Sequence, residues 1–228
     1  GGGIFLSTNN GVSWTSVGLM IHSVNALAVS RGLSGTNLFA GTWGGGIFLS
    51  TNNGVSWTSV GLMNRSVNAL AVSRGLSGTN LFAGTWGSGI FLSINNGVSW
   101  TAVNNGLADE TTQFINALTV LSDFGETNVF LGTWGGGVYR TTNNGTNWNA
   151  VNNGLTTHTV LSLAVSGSYL FAGNYNGGAF LTTNNGLNWT AVNNGLTNQW
   201  VYAIAVSPDF SGINIFAGTY YGVFLSTN

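Results

Sequence analysis

The chain has 228 residues, of which 4% are charged and 43% apolar, and its formal net charge is −1. Four arginines and no lysine cannot build a phosphate-tracking surface, so nucleic acid is excluded as a partner. The chain has no cysteine, hence no disulfide and no thiol chemistry, and no apolar run approaches the ~18 residues of a bilayer-spanning helix.

The chain opens on a third-of-a-unit strand, Gly3-Ile4-Phe5-Leu6, which runs into Ser7-Thr8-Asn9-Asn10-Gly11-Val12-Ser13-Trp14. That box returns as Ser50 to Trp57, Ser93 to Trp100, Thr141 to Trp148 and Thr182 to Trp189. A sixth copy begins at Ser226-Thr227-Asn228. The box tryptophans fall 43, 43, 48 and 41 residues apart, and residues 1–43 differ from 44–86 only at Ile21/Asn64 and His22/Arg65. Self-similarity at this period marks a repeat architecture in one array, residues 1–228.

Each unit carries four short strand candidates, shown by the second copy: Val67 to Ser73, Asn80 to Trp86, Gly89 to Ser93 and Ser99 to Val103. Gly, Asn and Ser clusters separate them, and no stretch keeps a helical period. Four strands per ~43 residues is the period of a propeller blade. The expected fold is therefore all-β, a five-bladed propeller of four-stranded antiparallel blades. Small residues such as Ala26, Ala28, Ala69 and Ala71 mark the first strand as the innermost. Glycine-rich hairpins such as Trp43-Gly44-Gly45-Gly46 join the second and third strands, and the box joins the third and fourth. Its Asn-Asn-Gly supplies the turn, with the tryptophan packing under it.

There are five copies of the other strands but six of the third. Closure is then expected by pairing of the terminal segments, the stretch around Trp14 adding the outer strand to the last blade. Either 3–8 or 222–227 is left redundant. A monomer is expected, and a strand-exchanged oligomer is the alternative.

The box, Ser/Thr-x-Asn-x-Gly-x-(Ser/Thr/Asn)-Trp, resembles the Asp-box (BNR) repeat of sialidases, sortilin-type receptors, some xyloglucan hydrolases and photosystem II assembly-factor-like propellers. It is similar in character to repeat arrays of secreted bacterial surface proteins, and the abundance of Asn, Thr and Gly with no lysine agrees with a secreted or cell-surface bacterial location. The family aspartate is Asn here, at Asn9, Asn52, Asn95, Asn143 and Asn184. An amide oxygen still accepts from the turn amides, so the resemblance implies that the boxes are structural and lie away from the ligand face.

Catalysis is not expected. A sialidase site needs converging arginines, whereas Arg31 and Arg74 are repeat equivalents on the box side and Arg65 and Arg140 stand apart. A two-carboxylate glycosidase needs acids facing each other about 5–10 Å apart. Asp109 and Glu110 are neighbours in one loop, and Asp123, Glu126 and Asp209 fall on the box side. His22 and His158 lack a third ligand, so neither metal nor cofactor is expected.

The binding candidates are the aromatics at the second-to-third strand hairpin: Trp43, Trp86, Trp134, Tyr175 and Tyr220. Beside glycine turns they offer stacking platforms for sugar rings, with Thr42, Thr85, Thr133, Thr219, Asn64, Asn105, Asn153 and Asn194 as nearby polar groups. The opposing reading wedges these rings between blades as core. The expected function is a non-catalytic binding or adhesion module with a glycan or another protein as partner. The alternatives are a structural or protein-interaction scaffold and, less favoured, a glycoside hydrolase.

Overall fold

A computed structural model describes residues 2–227 except 33–34, 76–77, 108, 124–125 and 210–211. The side chains of 31–32, 74–75, 78, 123, 126, 208–209 and 212 also lie outside the described residues, and with them the expectations placed on Arg31, Arg74, Asp123, Glu126 and Asp209.

The chain forms two compact units, Gly1–Ala102 and Val103–Asn228. The first begins with a two-stranded hairpin, β1 (Phe5–Leu6) with β2 (Thr15–Ser16). Two four-stranded antiparallel sheets follow. One is β3 (Val24–Gly32), β4 (Gly35–Thr42), β5 (Gly46–Ser50) and β6 (Thr58–Gly61), and the other is β7 (Val67–Gly75), β8 (Gly78–Thr85), β9 (Ile90–Ser93) and β10 (Thr101–Ala102). The second unit repeats the pattern in β11 (Ile115–Asp123), β12 (Glu126–Thr133), β13 (Val138–Thr141) and β14 (Asn149–Ala150), and again in β15 (Val160–Ser166), β16 (Tyr169–Asn174), β17 (Gly178–Thr182) and β18 (Thr190–Ala191). It ends in a three-stranded sheet, β19 (Val201–Asp209), β20 (Gly212–Thr219) and β21 (Gly222–Ser226). Among the described residues the helical content is one 3-10 turn, Glu110–Gln113.

Within the first unit β2 pairs with β1, and within the second β21 pairs with β20. Both third-strand copies therefore have their own partner. The outer strands are shorter than their sequence runs, two residues in β10, β14 and β18.

The box tryptophans link successive repeats. Each indole N–H reaches back to the outer-strand carbonyl of the preceding repeat: Trp57 to Val17 (2.7 Å), Trp100 to Val60 (2.9 Å), Trp148 to Val103 (2.8 Å) and Trp189 to Val151 (2.7 Å). In the second unit the tryptophan backbone N–H also donates to the preceding repeat, Trp148 to Asn105 O and Trp189 to Asn153 O. The ring thus locks two repeats together instead of only lining its own turn. Trp148 and Trp189 are buried, while Trp14 is 63% exposed.

The box turn itself closes as the residue types require. Asn52 Oδ1 accepts from Ser56 N–H and from Ser50 Oγ, and Ser50 Oγ accepts from Gly54 N–H, with the same pattern in every copy. The second Asn of each box sits in the left-handed region, φ 55–56°, which Asn tolerates better than other non-glycine residues.

First strands of successive sheets lie side by side, β3 with β7, β11 with β15 and β15 with β19. Each starts with a bulge, at Asn25, Asn68, Asn116, Leu161 and Tyr202. The bulge turns the side chain out of the ladder, and Asn25 and Asn116 use it to donate to the next sheet, at Asn68 Oδ1 (3.1 Å) and Val160 O (3.0 Å). The apolar core lies between sheets. In the first unit it gathers Phe39, Ile47, Val67 and Leu81, and in the second Leu121, Phe130, Val160, Leu170, Phe180 and Trp189.

Candidate binding surface

The hairpin between the second and third strands is built from an alternation. The last strand residue, Thr42, Thr85 or Thr133, points inward and is fully buried, and the aromatic after it points outward. The buried hydroxyl donates across the turn to Gly46 O (2.9 Å), Gly89 O (2.7 Å) and Gly137 O (3.0 Å). In the fourth repeat Asn174 takes this place and donates to Thr157 O (2.8 Å). The aromatic is pinned by its backbone N–H to the carbonyl just before the first strand: Trp43 to Ser23, Trp86 to Ser66, Trp134 to Phe114 and Tyr175 to Thr159.

All five sequence-selected rings are exposed. Trp43, Trp86, Trp134, Tyr175 and Tyr220 are 57, 37, 45, 37 and 62% accessible, so they are not a wedge of core between sheets. In the second unit three of them join a continuous aromatic ledge. Trp134 and Tyr175 lie 6.2 Å apart, Tyr175 stacks on Trp200 at 5.1 Å and 15°, Trp200 meets Tyr220 edge-on at 5.6 Å, and Tyr220 meets Tyr221 at 5.1 Å. These spacings fall in the range of favourable aromatic pairs. Trp43 and Trp86 hold the same hairpin position in the first unit.

Trp200 and Tyr221 escape the sequence reading. Trp200 stands before the first strand, where the other repeats have Ser23, Ser66, Phe114 and Thr159, so no column of aromatics flags it. Its position just ahead of Val201 at the hairpin end was the available signal.

The polar groups expected around the rings are mostly committed elsewhere. Thr42, Thr85 and Thr133 are sealed inside the hairpins. Asn105 donates to Asn147 Oδ1 (3.0 Å), and Asn153 donates to Asn188 Oδ1, so both clamp the next repeat's box. The glycine turn is only partly open. A Cβ on Gly44 would meet nothing, but one on Gly45 would lie 2.8 Å from His22 Nδ1, and one on Gly136 would lie 2.6 Å from Thr112 Cγ2. The loop ahead of the first strand rests on the turn.

That loop also carries both differences between the first two repeats, Ile21/Asn64 and His22/Arg65. His22 lies 4.8 Å from the Phe48 ring, and the guanidinium of Arg65 lies 5.0 Å over the equivalent Phe91. In the third repeat the ring is Tyr139. Burial, and then the negative charge of Asp109, push its phenol above the usual value of 10.0.

Asp109 and Glu110 flank the start of the 3-10 turn, and the other three acids lie outside the described side chains. Among the described residues no group of three His, Cys, Asp or Glu gathers for a metal ion. No helix among them is long and apolar enough to cross a membrane.

No family model and no curated protein matches the chain. Solved structures do match it, and they are β-propellers. The extracellular domain of a hybrid two-component system of B. thetaiotaomicron aligns at 17% identity and TM-score 0.65, over 94% of this chain and 28% of that one. YCF48 bound to D1 peptide aligns at 19% identity and TM-score 0.68, over 98% of this chain and 71% of that one. The GH74 xyloglucanase of Xanthomonas campestris aligns at 17% identity and TM-score 0.62, over 89% of this chain and 36% of that one. The chain thus spans about a quarter to a third of the first and third of these proteins, and the likeness establishes a propeller-type, all-β fold.

Proposed function

We propose that the chain is a non-catalytic binding module of a secreted or cell-surface bacterial protein, with carbohydrate as its ligand. In this reading residues 1–228 are one domain, its five repeats are five blades of the Asp-box type, and no cofactor takes part. The observation that carries it is the ledge Trp134–Tyr175–Trp200–Tyr220–Tyr221, four exposed hairpin rings joined through the half-buried Trp200 ahead of β19. Exposed apolar patches of this kind mark interaction sites, and exposed aromatic faces suit sugar rings. Trp43 and Trp86 supply the equivalent positions in the first unit, and several weak sites on one chain gain by multivalency. The extracellular neighbour agrees with the location.

A glycan array followed by calorimetry is the test. Binding of an oligosaccharide at micromolar to millimolar concentration, lost in Trp134→Ala/Trp200→Ala with the fold retained, supports the reading. Absence of any glycan binding at millimolar ligand overturns it.

The second reading is a protein-interaction scaffold. It is favoured by the neighbours whose partners are proteins, YCF48 with a D1 peptide and BBS1N with ARL6DN, and by Tyr220 and Tyr221 projecting beyond the rest. The hydrolase reading has the xyloglucanase likeness alone behind it, and an aryl-glycoside assay disposes of it.

A further inference from the structure

Residues 1–43 and 44–86 are one sequence apart from two neighbouring positions, Ile21/Asn64 and His22/Arg65. Both positions lie in the loop ahead of the first strand, and the hydrogen bonds that hold this loop are shared by the two repeats. His22 N–H donates to Leu19 O (2.9 Å), and Arg65 N–H donates to Leu62 O (3.1 Å). The next residue receives the hairpin aromatic, Trp43 N–H at Ser23 O and Trp86 N–H at Ser66 O, both 2.9 Å. The second of these loops is also tied to the hairpin before it. Gly46 N–H donates to Arg65 O (3.2 Å), and Gly44 N–H donates to Ser66 Oγ (3.1 Å). Residues 64–66 therefore form a bridge bonded to the Trp43 hairpin on one side and the Trp86 hairpin on the other. The exchange of His for Arg leaves those bonds in place and changes the side chain they display.

The side chain displayed is a cation without an anion. Arg65 is exposed, and its guanidinium lies 5.0 Å over the Phe91 ring, at the start of β9. That contact steadies the group without using its N–H donors. Among the described residues no hydrogen bond or ion pair engages the Arg65 side chain. Its own unit contains Arg31, Arg65 and Arg74 and not one Asp or Glu, since all five acids of the chain follow residue 102. The two hairpin rings that flank the bridge, Trp43 and Trp86, are both exposed.

We propose that the bridge 64–66 is an acid-recognising subsite, which takes a uronic-acid residue of an oligosaccharide with its carboxylate on the Arg65 guanidinium and the sugar chain against Trp43 and Trp86. The site rests on carbohydrate being the ligand, as proposed for the hairpin rings. A guanidinium presents a planar fork of donors that meets a carboxylate with two bonds at once. His22, at the same place in the first repeat, offers neither that fork nor a permanent charge. Two repeats that are otherwise one sequence thus differ in the charge of the sugar they accept.

The probes are oligogalacturonate and oligoglucuronate, each as free acid and as methyl ester, titrated into the whole chain by calorimetry. The ester keeps the sugar rings and removes the charge. The acid is expected to bind about 10-fold or more tightly than its ester, and the preference is expected to fade as salt rises. Arg65→His places in the second repeat the residue that the first already carries in the same loop. It is expected to abolish the preference and to leave ester binding unchanged. Acid bound no more tightly than ester, or a preference that survives in Arg65→His, overturns the proposal and leaves the carbohydrate reading standing. So does a neutral glycan that binds while neither uronide does. Failure of the acids, the esters and every neutral glycan at millimolar concentration removes both. Binding of a glutamate-rich peptide that depends on Arg65, with no uronide bound, also overturns the proposal and makes Arg65 a contact for a protein partner.

Discussion

Gly41, Gly132 and Gly173 lie inside strands, where glycine normally weakens the ladder. Their use is the room they leave. A Cβ there would come within 2.7, 2.6 and 2.7 Å of Cγ1 of Val67, Val160 and Val201, the first residues of the next sheet. Gly132→Ala or Gly173→Ala is expected to cost about 1–3 kcal/mol by overpacking, read as a lower urea midpoint. Gly218, the same column of the last repeat, would meet only Ala203 Cβ at 3.5 Å, and Gly218→Ala is expected to cost less than either. Tyr139 makes a pH prediction. Its folded value is raised, so its neutral form is favoured in the folded protein. The stabilisation is complete below the ordinary phenol value of 10.0 and is lost as pH climbs through the folded value above it. Thermal unfolding is expected to steepen its decline above pH 10 in the native chain and to flatten in Tyr139→Phe. Residue-scale reading of sequence reaches part of this. The alternation that turns Trp134 outward is visible in Gly-Thr-Trp, but the capture of Thr133 by Gly137 O depends on the closed hairpin. Trp200 belongs to no repeating column and is seen only when the loops are in place.

At the scale of elements, the box works as a turn and as a clasp. The turn is legible because Ser, Asn and Gly bond within five residues of each other, as in Ser50–Asn52–Gly54–Ser56. The clasp is not, because Trp148 and its acceptor Val103 are 45 residues apart. Trp148→Phe keeps most of the buried ring and leaves Val103 O without its donor, which is expected to cost about 1–3 kcal/mol. Trp148→Ala adds the loss of the ring, and large-to-small changes of this kind cost about 3–5 kcal/mol. Trp14→Phe, at an exposed ring, is expected to leave the stability of the monomer unchanged. Chemical denaturation of the three variants at low protein concentration gives the order. The outer strands show a related limit. Ser99 to Val103 reads as one strand by composition, yet only Thr101 and Ala102 pair with β9.

At the scale of the whole chain, the period of about 43 residues is enough for an all-β array of four-stranded antiparallel sheets, and the matched propellers agree. At the ends the count supplies the number of strands and not their pairing: β1 pairs with β2, and β21 pairs with β20. The binding surface is legible in position and not in composition. The hairpin aromatics are where the repeats place them, but most of the polar groups meant to accompany them are spent inside the hairpins or on the next repeat's box.

The backward reach of the box tryptophan bears on how such a gene changes length. Every joint uses the same pair of groups, an indole N–H and a valine carbonyl three residues beyond the previous tryptophan. An extra copy spliced in by unequal recombination would meet both neighbours through joints already in use. Residues 1–43 and 44–86 are alike at all but two positions, and Val17 and Val60 each accept the next tryptophan's indole.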